Sequence, residues 1–382
     1  MSEYHNLNYQ YIETEDALSK VITELSTKQT LYLDFEFDKN HFLYGFNICL
    51  IQISDGSNIY IIDPVTIKDI ETLFPIFKNE KIQKVSFAFG EDLRLLHHLG
   101  CIPKNVLDLA TARTLLNLPH TSLNSIIEEM TGEELPKSQQ KSNWCERPLS
   151  EEQLKYAALD VAFLPALKDL LLTAIEKEGR SEWLQQEIEE INILDFGKNA
   201  DPTGALEKEK KFFTKREWLR YDILMDFREK EAEKLNRPTY KVLNKKWVED
   251  LAKNPGLINQ WPPKTNIHPK LKTIATKNKI QSILESVEKQ IRTEGISAAE
   301  GARSPLSLSE KQRKSKLRTE ADTIKTNFYD PIKAEIKKDL GEHIANYLLS
   351  NRKTLTIIKD ESLLLPYQQE IIRFYAQKLN LT

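Results

Sequence analysis

The segment Gln29-Thr30-Leu31-Tyr32-Leu33-Asp34-Phe35-Glu36-Phe37-Asp38 decides the fold. Apolar, β-branched and aromatic residues fill it, which predicts a strand. The two-residue period of a strand puts Asp34 and Glu36 on one face. Two carboxylates side by side on an otherwise apolar strand raise each other's pKa, so the pair asks for a cation. Working outward, residues 48–54 and 58–63 are predicted strands joined by Asp55-Gly56-Ser57, which is hairpin chemistry. Residues 71–77 read as a short helix and 84–89 as a buried strand. Gly90-Glu91-Asp92 opens a helix through His97, and 106–109 is another short strand. Helices follow over 110–116 and 122–130, and apolar residues every three or four positions predict one long helical segment over 151–178. This alternation predicts a mixed, mostly three-layer α/β domain over residues 1–195.

Residues 195–214, with Gly197, Pro202 and Gly204 and no apolar period, read as a linker. Beyond it the pattern is helical to about residue 290, with Trp218, Tyr221, Leu224 and Phe227 roughly a turn apart. A second expected linker, 296–316, is rich in Ser, Ala, Arg and Lys. Helical spacing then returns to the end of the chain. The expected domains are 1–195, 212–290 and 320–382, the last two small and all-helical.

The 382 residues suit two or three such domains. Charged residues make up 29% and hydrophobic ones 40%, the composition of a folded globular chain. Cys49, Cys101 and Cys145 are odd in number and lack CxxC or Cys/His spacing, so neither a disulfide framework nor a zinc site is expected. No apolar run is long enough to span a bilayer, and a soluble, cytoplasmic protein is expected. The net charge of -3 hides a split. Residues 1–200 carry 18 Lys/Arg against 32 Asp/Glu, a net of -14, whereas 201–382 carry 36 against 25, a net of +11. A basic half points to a polyanionic partner, and an acidic half that handles a polyanion needs metal ions between the two.

Tyr156 and Asp160 lie four apart on a predicted helix and so share a face. Asp92 stands at the start of the helix that follows a buried strand. Asp34, Glu36, Asp92 and Asp160 offer only oxygen, which suits Mg²⁺ or Mn²⁺ rather than zinc. Two such ions about 4 Å apart polarise a phosphodiester and generate a nucleophile. The reaction class is metal-assisted phosphodiester hydrolysis, with the Tyr156 phenol placed to orient the attacking water.

These motifs occur in a known order. Asp34-Phe35-Glu36-Phe37, Phe89-Gly90-Glu91-Asp92-Leu93 and Tyr156-Ala157-Ala158-Leu159-Asp160-Val161 resemble the three exonuclease motifs of the DEDD superfamily, tyrosine branch. Leu50-Ile51-Gln52-Ile53 and Asn143-Trp144-Cys145-Glu146-Arg147-Pro148-Leu149-Ser150 resemble the ribonuclease D family within it. Arg228-Glu229-Lys230-Glu231-Ala232-Glu233 with Arg237-Pro238-Thr239-Tyr240-Lys241-Val242-Leu243 is similar to the helicase and RNase D C-terminal (HRDC) domain. The last helical unit is similar only in size and pattern to a second HRDC-like unit. The resemblance implies an RNase H-like mixed sheet followed by one or two HRDC-like domains. It also implies a 3′-5′ exoribonuclease that trims structured RNAs such as tRNA precursors, with two divalent ions held by Asp34, Glu36, Asp92 and Asp160. The sequence departs at Phe87, where relatives often carry histidine.

Further expected RNA contacts are Trp144 and Arg147, by stacking and by a guanidinium on phosphate, and Lys137 with Lys141 on a loop. The plainer alternative is that Trp144 packs and Arg147 pairs with an acid. His98 is expected in the core on the Leu95 side. Basic residues between Lys215 and Lys246 are expected to bind RNA weakly, and 311–318 reads as a phosphate-binding arm or a simple linker. A DNA-directed exonuclease and a non-catalytic RNA-binding scaffold are the competing functions. The oligomeric state is left open.

Overall fold

The computed structural model describes residues 7–132, 139–198, 202–304 and 306–381. Six strands form one sheet: β1 Tyr9–Ile12, β2 Thr30–Lys39, β3 Phe46–Ser54, β4 Ile59–Ile62, β5 Gln83–Ser86 and β6 Val106–Asp108. Their order is β1-β4-β3-β2-β5-β6. β3 and β4 are antiparallel, whereas β1–β4, β2–β5 and β5–β6 are parallel. The mixed α/β sheet with two apolar faces is the fold class expected from the sequence.

Alternation along β2 shows why the sheet is covered twice. Leu31, Leu33 and Phe35 join one buried cluster with residues of α1 Glu15–Leu25, α2 Phe74–Lys78 and α3 Gly90–His98. Tyr32, one residue out of phase, joins another with α4 Leu109–Leu115, α5 Leu123–Thr131, α6 Glu151–Ala162, α7 Leu164–Lys177 and α8 Ser181–Ile193. Asp34 and Glu36 share the Tyr32 parity and therefore belong to the face that α6 covers.

Several expected elements differ. The strand expected to reach Phe89 stops at Ser86, because Ala88 adopts a left-handed φ of 57°. The single helix expected over 151–178 is two, α6 and α7, meeting at Phe163. Pro165, in the first turn of α7, has no N–H to continue the α6 ladder. The first expected linker contains helix α9 Pro202–Lys210, and the second overlaps a long helix, Leu308–Ile324. His98 is exposed; His97 is the packed residue, its ring 5.5 Å from that of Phe196. Cys49 and Cys145 are disulfide-bonded, with Cα atoms 4.9 Å apart, and Cys101 is a buried free thiol. Scattered spacing concealed that pairing, since proximity is set by the fold and not by separation in the chain.

The chain divides into two compact units where three domains were expected. One comprises Phe37–Asn47 and Lys198–Ser307. Its helices are α9, α10 Lys215–Leu235, α11 Thr239–Val242, α12 Lys245–Lys253 and α13 Ile274–Thr293. Thr214 and Glu217 form a capping box that starts α10, and Asn236 in the left-handed region ends it. Phe213, Tyr221, Phe227, Trp247 and Ile280 are among its core residues.

The other unit holds the rest of the sheet domain together with everything from Leu308 onward. These last helices are α14 Leu308–Ile324, α15 Asp330–Asp339, α16 Glu342–Leu348, α17 Asn351–Ile357 and α18 Pro366–Lys378. They are not a separate domain, because Ile332, Ile344, Leu348 and Tyr367 share one apolar cluster with Leu115, Leu171 and Leu184 of the sheet domain. Buried Glu187 of α8 accepts hydrogen bonds from Tyr347 at 2.6 Å, Tyr367 at 2.5 Å and Gln368 at 2.9 Å. No helix among the described residues is long and apolar enough to cross a membrane.

Candidate active site

Asp34 and Glu36 come from the middle of β2, the strand with β3 on one side and β5 on the other. Asp160 comes from α6, which starts firmly: Ser150 accepts from the Gln153 N–H at 3.2 Å, and Gln153 Oε1 accepts from the Ser150 N–H at 3.0 Å. One carboxylate oxygen from each of Asp34, Glu36 and Asp160 lies within 4.8 Å of the others. Asp92, in the first turn of α3, is outside this tight set but is buried close enough for its charge to act on Glu36. Tyr156, one turn before Asp160, is buried with its ring 6.0 Å from that of Trp144.

The electrostatics of the four acids are unfavourable as they stand. Burial, then the Asp160 charge, holds Asp34 well above the usual carboxylate range. Burial followed by Asp34, Asp160 and Asp92 does the same to Glu36, and burial with Asp34 does it to Asp92. Burial alone pushes Asp160 up to about 8. Each acid resists ionising beside the others, and a multivalent cation among the oxygens removes that penalty. The all-oxygen donor set fits a hard divalent ion.

Asp108 is a site residue that the sequence reading missed. It ends β6 and accepts N–H bonds from Ala88 at 2.8 Å, Phe89 at 3.0 Å and Ala110 at 2.9 Å. These bonds hold the left-handed turn from which α3 departs, and α3 carries Asp92. An Asp directly before a helix reads as an ordinary N-cap; only the bonds back to residues 88 and 89, about 20 positions earlier, separate it from one.

The expected RNA contacts fare differently. Trp144 is 4% exposed. Arg147 gives its guanidinium to Asp63 at 2.5 and 2.6 Å, to the Cys49 carbonyl at 2.7 Å and to the Trp144 carbonyl at 2.7 Å. Both side chains are taken up by the fold, as the plainer alternative had it, so no RNA contact is assigned to them. Lys137 lies outside the described residues. In the helical unit, Arg228 is buried and donates to the Leu243 carbonyl at 2.6 Å, and Arg220 pairs with Glu288 at 2.6 Å. These two cations are also internal.

Residues 9–176 match the 3′-5′ exonuclease family. All five motif residues, Asp34, Glu36, Asp92, Tyr156 and Asp160, lie within the matched span. The chain is 32% identical over 190 residues to ribonuclease D of Escherichia coli (strain K12), covering 49% of this chain and 50% of that protein. It is 36% identical over 169 residues to DNA polymerase I of Aquifex aeolicus (strain VF5), covering 43% of this chain and 28% of that protein. The chain spans about half the length of the first curated relatives that it matches. The crystal structure of Escherichia coli RNase D superposes with a TM-score of 0.68 at 21% identity, covering 97% of this chain and 99% of that one. That likeness is one of fold and runs from the sheet domain through the C-terminal helices.

Proposed function

We propose that the chain is a metal-dependent 3′-5′ exoribonuclease of the ribonuclease D kind, which removes nucleotides from RNA 3′ ends. The observation that carries this is the convergence of Asp34, Glu36 and Asp160, with Asp92 beside them, inside the span that matches the 3′-5′ exonuclease family. The relatives named ribonuclease D favour RNA as the polymer.

In this reading Asp34, Glu36, Asp92 and Asp160 hold two divalent ions, Mg²⁺ or Mn²⁺. Bound there, the ions supply Lewis-acid polarisation of the phosphodiester and activation of a water molecule. Tyr156 orients that water through its phenol, from the same face of α6 as Asp160. The water oxygen bonds to phosphorus as the bond from phosphorus to the 3′ oxygen of the shortened strand breaks. The helical unit, an HRDC-like domain in this reading, grips the body of the RNA. The substrate class is structured RNA with a free 3′ end, such as tRNA precursors, which implies a cytoplasmic location.

The test is hydrolysis of a single-stranded 3′ end by the purified chain with Mg²⁺. Asp34→Ala and Asp160→Asn are expected to lose activity by several orders of magnitude with the fold intact by circular dichroism. Full activity in both variants refutes the reading. A DNA-directed exonuclease is the second reading, favoured by the identity to a DNA polymerase I segment. Rates on RNA and DNA oligonucleotides of one sequence separate the two.

A further inference from the structure

Helix α14, Leu308–Ile324, buries none of its side chains. Even its apolar residues Leu308, Leu317 and Ile324 are 77%, 55% and 45% exposed. Its helicity therefore comes from composition, since Glu, Lys, Gln, Arg, Leu and Ala are strong helix formers, and from its continuation through Lys325–Tyr329 into α15, which is packed. A helix of this length without packing is marginal in water.

The charge along it is segregated. From Lys311 to Arg318 it carries Lys311, Arg313, Lys314, Lys316 and Arg318 and no acid, while Glu310 precedes the run and Glu320 and Asp322 follow it. The neutralising pairs are long and exposed: Lys316 to Glu320 and Arg318 to Asp322, each 3.9 Å. Among the described residues no carboxylate pairs with Lys311, Arg313 or Lys314. Lys311, Lys314 and Arg318 follow an i, i+3, i+7 spacing and form one stripe. At 1.5 Å per residue that stripe is about 10 Å long, enough to meet two or three successive phosphates, which rise about 3.4 Å per nucleotide along a strand.

We propose that the Lys311–Arg318 face of α14 binds the phosphate backbone of RNA away from the 3′ end that enters the acid cluster. Exposed cations that have no carboxylate partner among the described residues, as at Lys311, Arg313 and Lys314, or only a long one, as at Lys316 and Arg318, and that lack a buried apolar anchor suit a flexible polyanion better than a folded protein, whose docking draws on a desolvated aromatic or aliphatic core. The proposal rests on the exoribonuclease reading only for the identity of the strand as RNA.

The test uses the full chain with Lys311→Gln, Lys314→Gln and Arg318→Gln combined, substitutions that empty no packed site. Binding of a 30-nucleotide and a 4-nucleotide RNA is followed by fluorescence anisotropy in EDTA across a salt series. The expected result is about a tenfold loss of affinity for the long RNA at low salt, with a slope of log K against log salt shallower by about 2. Affinity for the short RNA and its rate of hydrolysis with Mg²⁺ stay unchanged. A wild-type chain that hydrolyses no RNA, while the variant still shows this loss of affinity, retires the exoribonuclease reading and retains the helix as a binding face. Unaltered long-RNA affinity in the variant, an equal loss on both lengths, or a wild type that binds no RNA overturns the proposal.

Discussion

Arg147 and Asp63 are joined by two hydrogen bonds, from Nε at 2.5 Å and Nη2 at 2.6 Å, across 84 residues of chain. The Asp63 side chain is fully buried, and the Tyr11 hydroxyl also donates to it. Burial alone would raise the Asp63 pKa, but the Arg147 and Tyr11 bonds outweigh it and the carboxyl sits below its usual value. Arg147→Ala strands a buried charge and is expected to cost about 3–5 kcal/mol, read as a lower urea midpoint. Asp63→Asn combined with Arg147→Met, which removes both charges, should recover part of the loss. An Arg147→Ala variant as stable as wild type contradicts the bridge.

Asp55 gives the clearest pH dependence. Burial acts to raise its pKa, but the ion pair with Lys28 at 2.7 Å and the Asn58 and Ser57 N–H bonds win and lower it to about 2. A depressed carboxylate contributes stability above its unfolded value of about 3.9, and that contribution fades as pH falls through about 2. Asp55→Asn should therefore be less stable than wild type at pH 7, with the difference closing near pH 2. Exposure of Lys28 keeps the effect modest and salt-sensitive. Parallel stability curves down to pH 2 would contradict the assignment.

The acid cluster predicts opposite effects on stability and activity. In EDTA, Asp160→Asn relieves repulsion with Asp34 and Glu36 and is expected to raise the melting temperature. Mn²⁺ should raise the wild-type melting temperature by mass action and leave the variant nearly unmoved. A variant destabilised in EDTA, or one that responds fully to Mn²⁺, shows that the oxygens do not act as one site.

At the turn before α3, Ala88 has a φ of 57°, a conformation that costs a non-glycine residue about 1–2 kcal/mol. Ala88→Gly is expected to gain up to about 1 kcal/mol with activity retained. Asp108→Ala, by contrast, frees both N–H groups of the turn. It should lower kcat at least tenfold and weaken Mn²⁺ binding in calorimetry, since Asp92 depends on that turn. Normal metal affinity in Asp108→Ala would confine Asp108 to a purely structural role.

The shared core predicts that the C-terminal helices cannot be removed cleanly. Ending the chain at Ser307 bares apolar residues such as Leu115, Leu171 and Leu184 and strips Glu187 of three hydrogen-bond donors. The expected product is insoluble or molten by near-ultraviolet circular dichroism. A soluble, cooperatively melting truncation would restore the independent domain expected from the sequence.

What was legible in the sequence follows from how local each signal is. The Asp34/Glu36 pair and the Tyr156/Asp160 pair each lie within one element, so strand and helix periods place them without knowledge of the fold. The Arg147–Asp63 bridge, the Cys49–Cys145 bond and the reach of Asp108 to residues 88 and 89 are tertiary, and no spacing rule encodes them. The expected linker over 296–316 overlaps the start of helix α14 because α14 has no apolar stripe, the signal that reports packing rather than helicity. The third domain was drawn because its helices have the spacing of a self-contained bundle, and spacing does not reveal whose core an apolar face joins.

The acids of the site are drawn from two distant stretches of chain, β2 and α6, with α3 between them. A cation seated there would act as a clasp as well as a reagent, cinching the covering helix onto the strand beneath it. On the proposed reading, ion supply governs two properties at once, and a chain short of divalent ions would be both idle and loosened at its α6 seam. Slower amide exchange along α6 on adding Mn²⁺ is the signature of that clasp.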